Sequence, residues 1–163
     1  MIFEELFVMN IGEIQIYLLW FLLGSFTVAT ISDLKHMSAQ KEFVDFWLGF
    51  GILMFLLDLY YNFYLSQNLV FLVFKWGLIF MAIPIIFHFK GVARGDITAK
   101  IAATSLFPPV WIVLFIFLVE IVRLFTARFW KVFGNERAYP FMPVIYITTI
   151  IILLINLPIK FFI

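Results

Sequence analysis

Six apolar runs, each closed off by a short polar stretch, dictate what this chain can become: Ile14 to Ile31, Phe43 to Tyr64, Leu69 to Phe89, Ile97 to Phe107, Val110 to about Phe129, and a last run from Pro140 to about Leu157. Most of them approach the roughly 20 residues that an α-helix needs to cross a hydrocarbon core about 30 Å thick. Between them there is too little polar surface to coat a soluble globule, since 65% of the 163 residues are hydrophobic and only 13% charged. The expectation is an all-α polytopic membrane protein with about six transmembrane helices, forming a single membrane-embedded domain over residues 1–163. A net charge of +1, scattered among apolar segments, gives no basic face for nucleic acid. With no cysteine, thiolate metal sites and disulfides are excluded, and His36 and His88 are the two imidazoles. No metal or cofactor is expected.

The order of charges sets a topology. With six spans and both termini outside, Lys35, Lys41, Lys90, Arg94, Arg128, Lys131 and Arg137 all fall in cytoplasmic loops, leaving mainly Glu4, Glu5 and Glu13 on the far side. The fourth run is short. From Asp96 to Phe107 a helix reaches only about 18 Å, so Pro108-Pro109 either ends a short fourth helix or kinks a longer one, and the charge bias favours the first. Residues Ser32 to Glu42 read as a loop, and Ser66-Gln67-Asn68 as a tight turn. Gly24, Ser25, Thr27, Ala29 and Thr30 suggest that the second half of the first helix faces protein, where small residues allow close approach. Trp111, Trp130, Tyr139 and Tyr146 read as an aromatic belt near helix ends. Asp58 and Lys75 sit at similar distances before and after the turn at 66–68 and are expected to pair across antiparallel helices, or else Lys75 snorkels outward. Glu120 reaches Arg123 three residues on.

Chemistry is concentrated at two acidic residues. The topology puts Asp33 and Asp96 at the cytoplasmic ends of helices, more than sixty residues apart in sequence, where only folding can bring them together. Two carboxylates held close share a proton, so that one serves as base and the other as acid. That pair can activate water against a peptide carbonyl and protonate the departing amine without metal or thiol. From the residues alone, Asp33 could equally be a solvated helix end and Asp96 a helix N-cap.

Three stretches narrow the choice. Ala29-Thr30-Ile31-Ser32-Asp33-Leu34-Lys35 resembles the first catalytic segment of the type IV prepilin peptidases, including the archaeal preflagellin peptidases. Ala93-Arg94-Gly95-Asp96 resembles their Gly-x-Gly-Asp motif, with Ala93 in place of the first glycine, and Pro140-Phe141-Met142-Pro143 resembles the Pro-Phe-x-Pro element before the last helix. The lysine that the family often carries two residues after the second aspartate is Thr98 here, with Lys100 two further on, and the usual apolar-proline pair after the first aspartate is Ala39-Gln40. The resemblance covers nearly the whole chain. It implies a membrane aspartyl endopeptidase with catalytic Asp33 and Asp96, supported by Gly95 and Lys35, and with no cofactor. The implied partners are the lipid bilayer and prepilin or preflagellin (archaellin) precursors, whose basic leader would be cut at the cytoplasmic face of the cell membrane. Glu42, Asp45 and Glu136 are candidates to attract such a leader. Some bacterial relatives also methylate the new N-terminus and carry a cysteine-containing cytoplasmic domain, so peptidase activity alone is expected here.

Two other readings compete with this one. In the first, a small transporter or channel, Asp58, Lys75, Lys100 and Glu120 line a polar path. In the second, an inactive homologue acts in pilus or archaellum assembly, and the altered glycine motif is its signature.

Overall fold

Helices supply all the regular structure found in the described part of the computed structural model, which comprises residues 11–36, 40–66, 68–88, 94–130 and 141–161. Helix α1 runs Glu13–His36, its start marked by the Gly12 N–H donating to Gln15 Oε1 at 2.7 Å. Helix α2 covers Lys41–Tyr60 and continues into a π-helical turn, Tyr61–Leu65, closed by the Ser66 N–H on the Tyr61 carbonyl at 2.9 Å. Helix α3 occupies residues 69–88 and opens where Asn68 Oδ1 accepts the Phe71 N–H at 3.1 Å, an N-cap of the ordinary kind. It widens into a π-helical turn over Leu78–Ala82, directly before Pro84, a residue that cannot supply a helical N–H. Helix α4 is Arg94–Ser105, α5 Pro109–Trp130 and α6 Met142–Phe161.

The break at Pro108-Pro109 ends a helix and does not kink one. The N–H groups of Leu106 and Phe107 bond back three residues to Ala103 and Thr104, tightening the last turn of α4, and α5 then starts with proline in the first position, where its missing N–H costs nothing. Among the described residues three helices are long and apolar enough to cross a membrane: Glu13–Lys35, Lys41–Leu65 and Pro109–Thr126. Leu69–Ile85 and Met142–Asn156 are apolar but shorter.

The short α4 is the centre of the packing. It touches all five other helices, most extensively α2, and eight of its twelve residues are buried. Ala99, Ala102, Ala103, Thr104 and Ser105 make this possible, because small side chains let neighbouring backbones approach from several sides. Around it each helix turns one stripe inward: Leu19, Leu22, Phe26, Ala29 and Asp33 on α1; Trp47, Gly51, Met54 and Asn62 on α2; Leu72, Trp76, Ile79 and Ile83 on α3; Ile112, Phe115, Val119 and Val122 on α5. The outward faces carry large apolar side chains such as Val73, Met81, Phe117, Leu124 and Phe125, a surface suited to lipid and not to water.

Several expectations need correction. The stretch Ser32 to Glu42 is not a loop throughout: α1 continues to His36 and α2 resumes at Lys41, because Ser32 and Asp33 extend the buried stripe of α1 and packing carries the helix past its polar residues. Likewise Arg94, Gly95 and Asp96 belong to the first turn of α4, where an acidic side chain favours the positive end of the helix. Helix α6 runs past Asn156 and through Pro158, which lies in its last turn. Of the small residues on α1, Gly24 and Thr27 are exposed, whereas Ala29 is buried and Ser25 Oγ accepts the Trp47 Nε1–H of α2 at 3.0 Å. Trp111 is buried at 4% exposure, a core residue and not part of an aromatic belt. Expectations placed on Glu4, Glu5, Ala39, Lys90, Ala93, Lys131, Glu136, Arg137, Tyr139 and Pro140 lie outside the described residues, as do those on the side chains of His36, His88, Arg128 and Trp130.

Candidate functional site

Asp33 closes the inward stripe of α1 and is 6% exposed. Its Oδ2 accepts the backbone N–H of Met142 at 3.1 Å, and the N–H of Phe141 also bears on the carboxylate. These are the first groups of α6, where backbone donors have no partner within their own helix and welcome an anion. A residue near the end of α1 is thereby fastened to the beginning of α6, 109 positions along the chain. Ser32 beside it is buried as well, whereas Lys35 is exposed.

Asp96 sits in the first turn of α4, also buried, at 8% exposure. Gly95 is partly covered, and its carbonyl accepts the Thr98 hydroxyl at 2.8 Å. One helical turn beyond Asp96, on the same face, comes Lys100, whose side chain is wholly buried. Its Nζ lies 3.9 Å from the centre of the Phe141 ring. Phe141 is the residue next to Met142, whose N–H holds Asp33. The start of α6 thus has Asp33 of α1 on its backbone and Lys100 of α4 against the ring that precedes it, with Asp96 one helical turn before Lys100.

Four other charges within the helices form two pairs. Lys75 Nζ meets Asp58 Oδ2 at 2.6 Å, and the same oxygen accepts Trp76 Nε1–H at 3.0 Å, joining α2 to α3. Lys75 does not snorkel, since its side chain is 3% exposed. Arg123 donates to Glu120 Oε2 at 2.9 Å within α5. Glu42 and Asp45 are exposed at the start of α2. Among the described residues, no group of three or more His, Cys, Asp or Glu side chains is placed to hold a metal ion.

Sequence reasoning singled out Asp33 and Asp96 but gave Lys100 no place at the site, and it read the Phe141 stretch only as a resemblance. A signal for Lys100 was present: it falls four residues after Asp96, so any helix through both puts them on one face. No signal in the sequence tied the backbone of Met142 to Asp33. Compared with models of known families, with curated proteins and with solved structures, the chain matches none.

Proposed function

We propose that the chain is a membrane aspartyl endopeptidase of the prepilin and preflagellin peptidase kind, with Asp33 and Asp96 as its acid–base pair. The observation that carries this reading is that both carboxylates are buried, Asp33 on the first backbone groups of α6 and Asp96 on the helix whose Lys100 lies against Phe141, the residue before α6. In the reaction the ionised carboxylate takes a proton from water as that water attacks the scissile carbonyl. The protonated partner donates to the developing oxyanion, and the amine leaves with a proton returned to it.

In this reading six helices span the membrane with both termini outside, and the pair works at the cytoplasmic face. The substrate is a pilin-like or archaellin-like precursor whose basic leader stays in the cytoplasm while its apolar helix lies against the outward faces of the bundle. The exposed carboxylates of Glu42 and Asp45 would attract that leader. No N-methyltransferase activity is proposed.

The test is co-expression with candidate precursors, read as loss of the leader. Asp33→Asn and Asp96→Asn, each alone, are expected to lower cleavage by about 1,000-fold, within the range of general acid–base contributions. Wild-type cleavage by either variant would end the dyad mechanism.

A further inference from the structure

The wholly buried Lys100 is a costly choice on a helix whose other buried residues, Asp96 and Ile101 apart, are alanine, serine and threonine. An apolar side chain of the same length would fill that volume more cheaply, so the charge has a task that packing alone does not explain. Its position names the task. The ammonium stands 3.9 Å from the Phe141 ring centre, well inside the distance of about 6 Å at which a cation is attracted to an aromatic face. Lys100 is wholly buried, and desolvation strengthens that attraction. Phe141 immediately precedes α6, and the next residue gives its N–H to Asp33.

We infer that Lys100 is a positioning residue of the cleavage reaction: by holding the Phe141 ring it fixes the first backbone groups of α6, and through them the Asp33 carboxylate relative to Asp96. The inference rests on the endopeptidase reading for its catalytic part, and on geometry alone for its structural part. Lys100 sits on the helix of Asp96, while the groups it steadies hold Asp33, so one side chain couples the two halves of the pair. Two contacts in series transmit the effect, the ring on the ammonium and the Met142 N–H on the carboxylate. A small displacement of either would spoil a geometry that proton transfer requires to be close.

The experiment compares Lys100→Met, Lys100→Arg and Phe141→Leu in purified protein, with two readouts. Steady-state cleavage of a precursor is expected to show kcat lowered about 100-fold in Lys100→Met with KM within about threefold, the pattern of misplaced catalytic groups. Lys100→Arg should recover most of that loss, since a guanidinium also binds an aromatic face. Phe141→Leu should add little in the Lys100→Met background, because ring and cation act as a unit. The second readout needs no substrate: amide hydrogen exchange at Met142 should rise about tenfold or more in Lys100→Met and in Phe141→Leu. Unchanged exchange at Met142, or a wild-type kcat in Lys100→Met, overturns the inference. Should Lys100→Met fail to accumulate, Phe141→Leu answers the same question, and wild-type kcat and exchange there overturn it too. If Asp33→Asn and Asp96→Asn are inactive while Lys100→Met is fully active, this inference alone fails. If both aspartate variants cleave normally, the endopeptidase reading fails, and the exchange measurement still decides whether Lys100 holds the start of α6.

Discussion

Asp58 and Lys75 show how a single residue can be cheap or ruinous in this bundle. Placed alone in hydrocarbon, each would cost about 2.5 to 3.5 kcal/mol on insertion scales. Together they form an ion pair at 2.6 Å, with Trp76 Nε1–H completing the oxygen's partners. Asp58→Asn leaves the buried Lys75 ammonium without its carboxylate and is expected to cost about 3 kcal/mol. The double variant Asp58→Asn with Lys75→Gln should recover most of the loss, because no charge is then left behind. Unfolding curves in detergent for the two single variants and the double variant check this, and additive losses would show that the pair is not the unit of stability. The same arithmetic separates Glu120 from the rest: its arginine is on the next turn of its own helix and partly exposed, so Glu120→Gln should change stability by only about 0.5 kcal/mol.

At the scale of elements, α4 owes its place to what it lacks. A helix of twelve residues with alanine at three of its inner positions can be approached closely by α2, and Gly51 of α2 is buried against it. A Cβ added there would meet Ile101 Cγ2 at 3.1 Å. Gly51→Leu should therefore push α2 and α4 apart at a cost of about 1 to 3 kcal/mol, as overpacked cores do. Gly24 on α1 and Gly49 on α2 have open space where a Cβ would go. Alanine at either should leave stability unchanged or raise it slightly, since glycine is the weaker helix former. Thermal unfolding of the three variants ranks them, and a harmless Gly51→Leu would mean that α2 and α4 do not pack as tightly as their backbones suggest. The π-helical turns over Tyr61–Leu65 and Leu78–Ala82 flank the ion pair on the two helices that carry it. Asn62 stabilises the first of them by donating to the Asp58 carbonyl at 2.9 Å.

For the whole molecule, the six-span proposal makes a direct statement about sides. Gln40 and Ser66 are both exposed, at opposite ends of α2. Because the sequence has no cysteine, Gln40→Cys and Ser66→Cys each introduce a single thiol. A membrane-impermeant maleimide should label Ser66→Cys in intact cells and Gln40→Cys only after permeabilisation. Labelling of both from the same side would remove α2 as a span, and the reverse pattern would put Asp33 on the outer face.

Periodicity and composition by themselves determined that the chain is helical and where its helices lie to within a few residues. Those properties are local: apolar runs, prolines and short polar turns act within a few residues of themselves, and backbone groups in hydrocarbon have no choice but to bond within a helix. The pairing of Asp58 with Lys75 was also readable, because one tight turn fixes how two neighbouring helices align. Tertiary structure alone decided that the least apolar helix is the central one, that Trp111 is core, that α1 extends through Asp33, that the Met142 N–H meets Asp33 and that Lys100 meets the Phe141 ring. Each of these depends on contacts between helices far apart in the chain, and a backbone N–H offered to Asp33 from a residue 109 positions away leaves no trace in the local pattern.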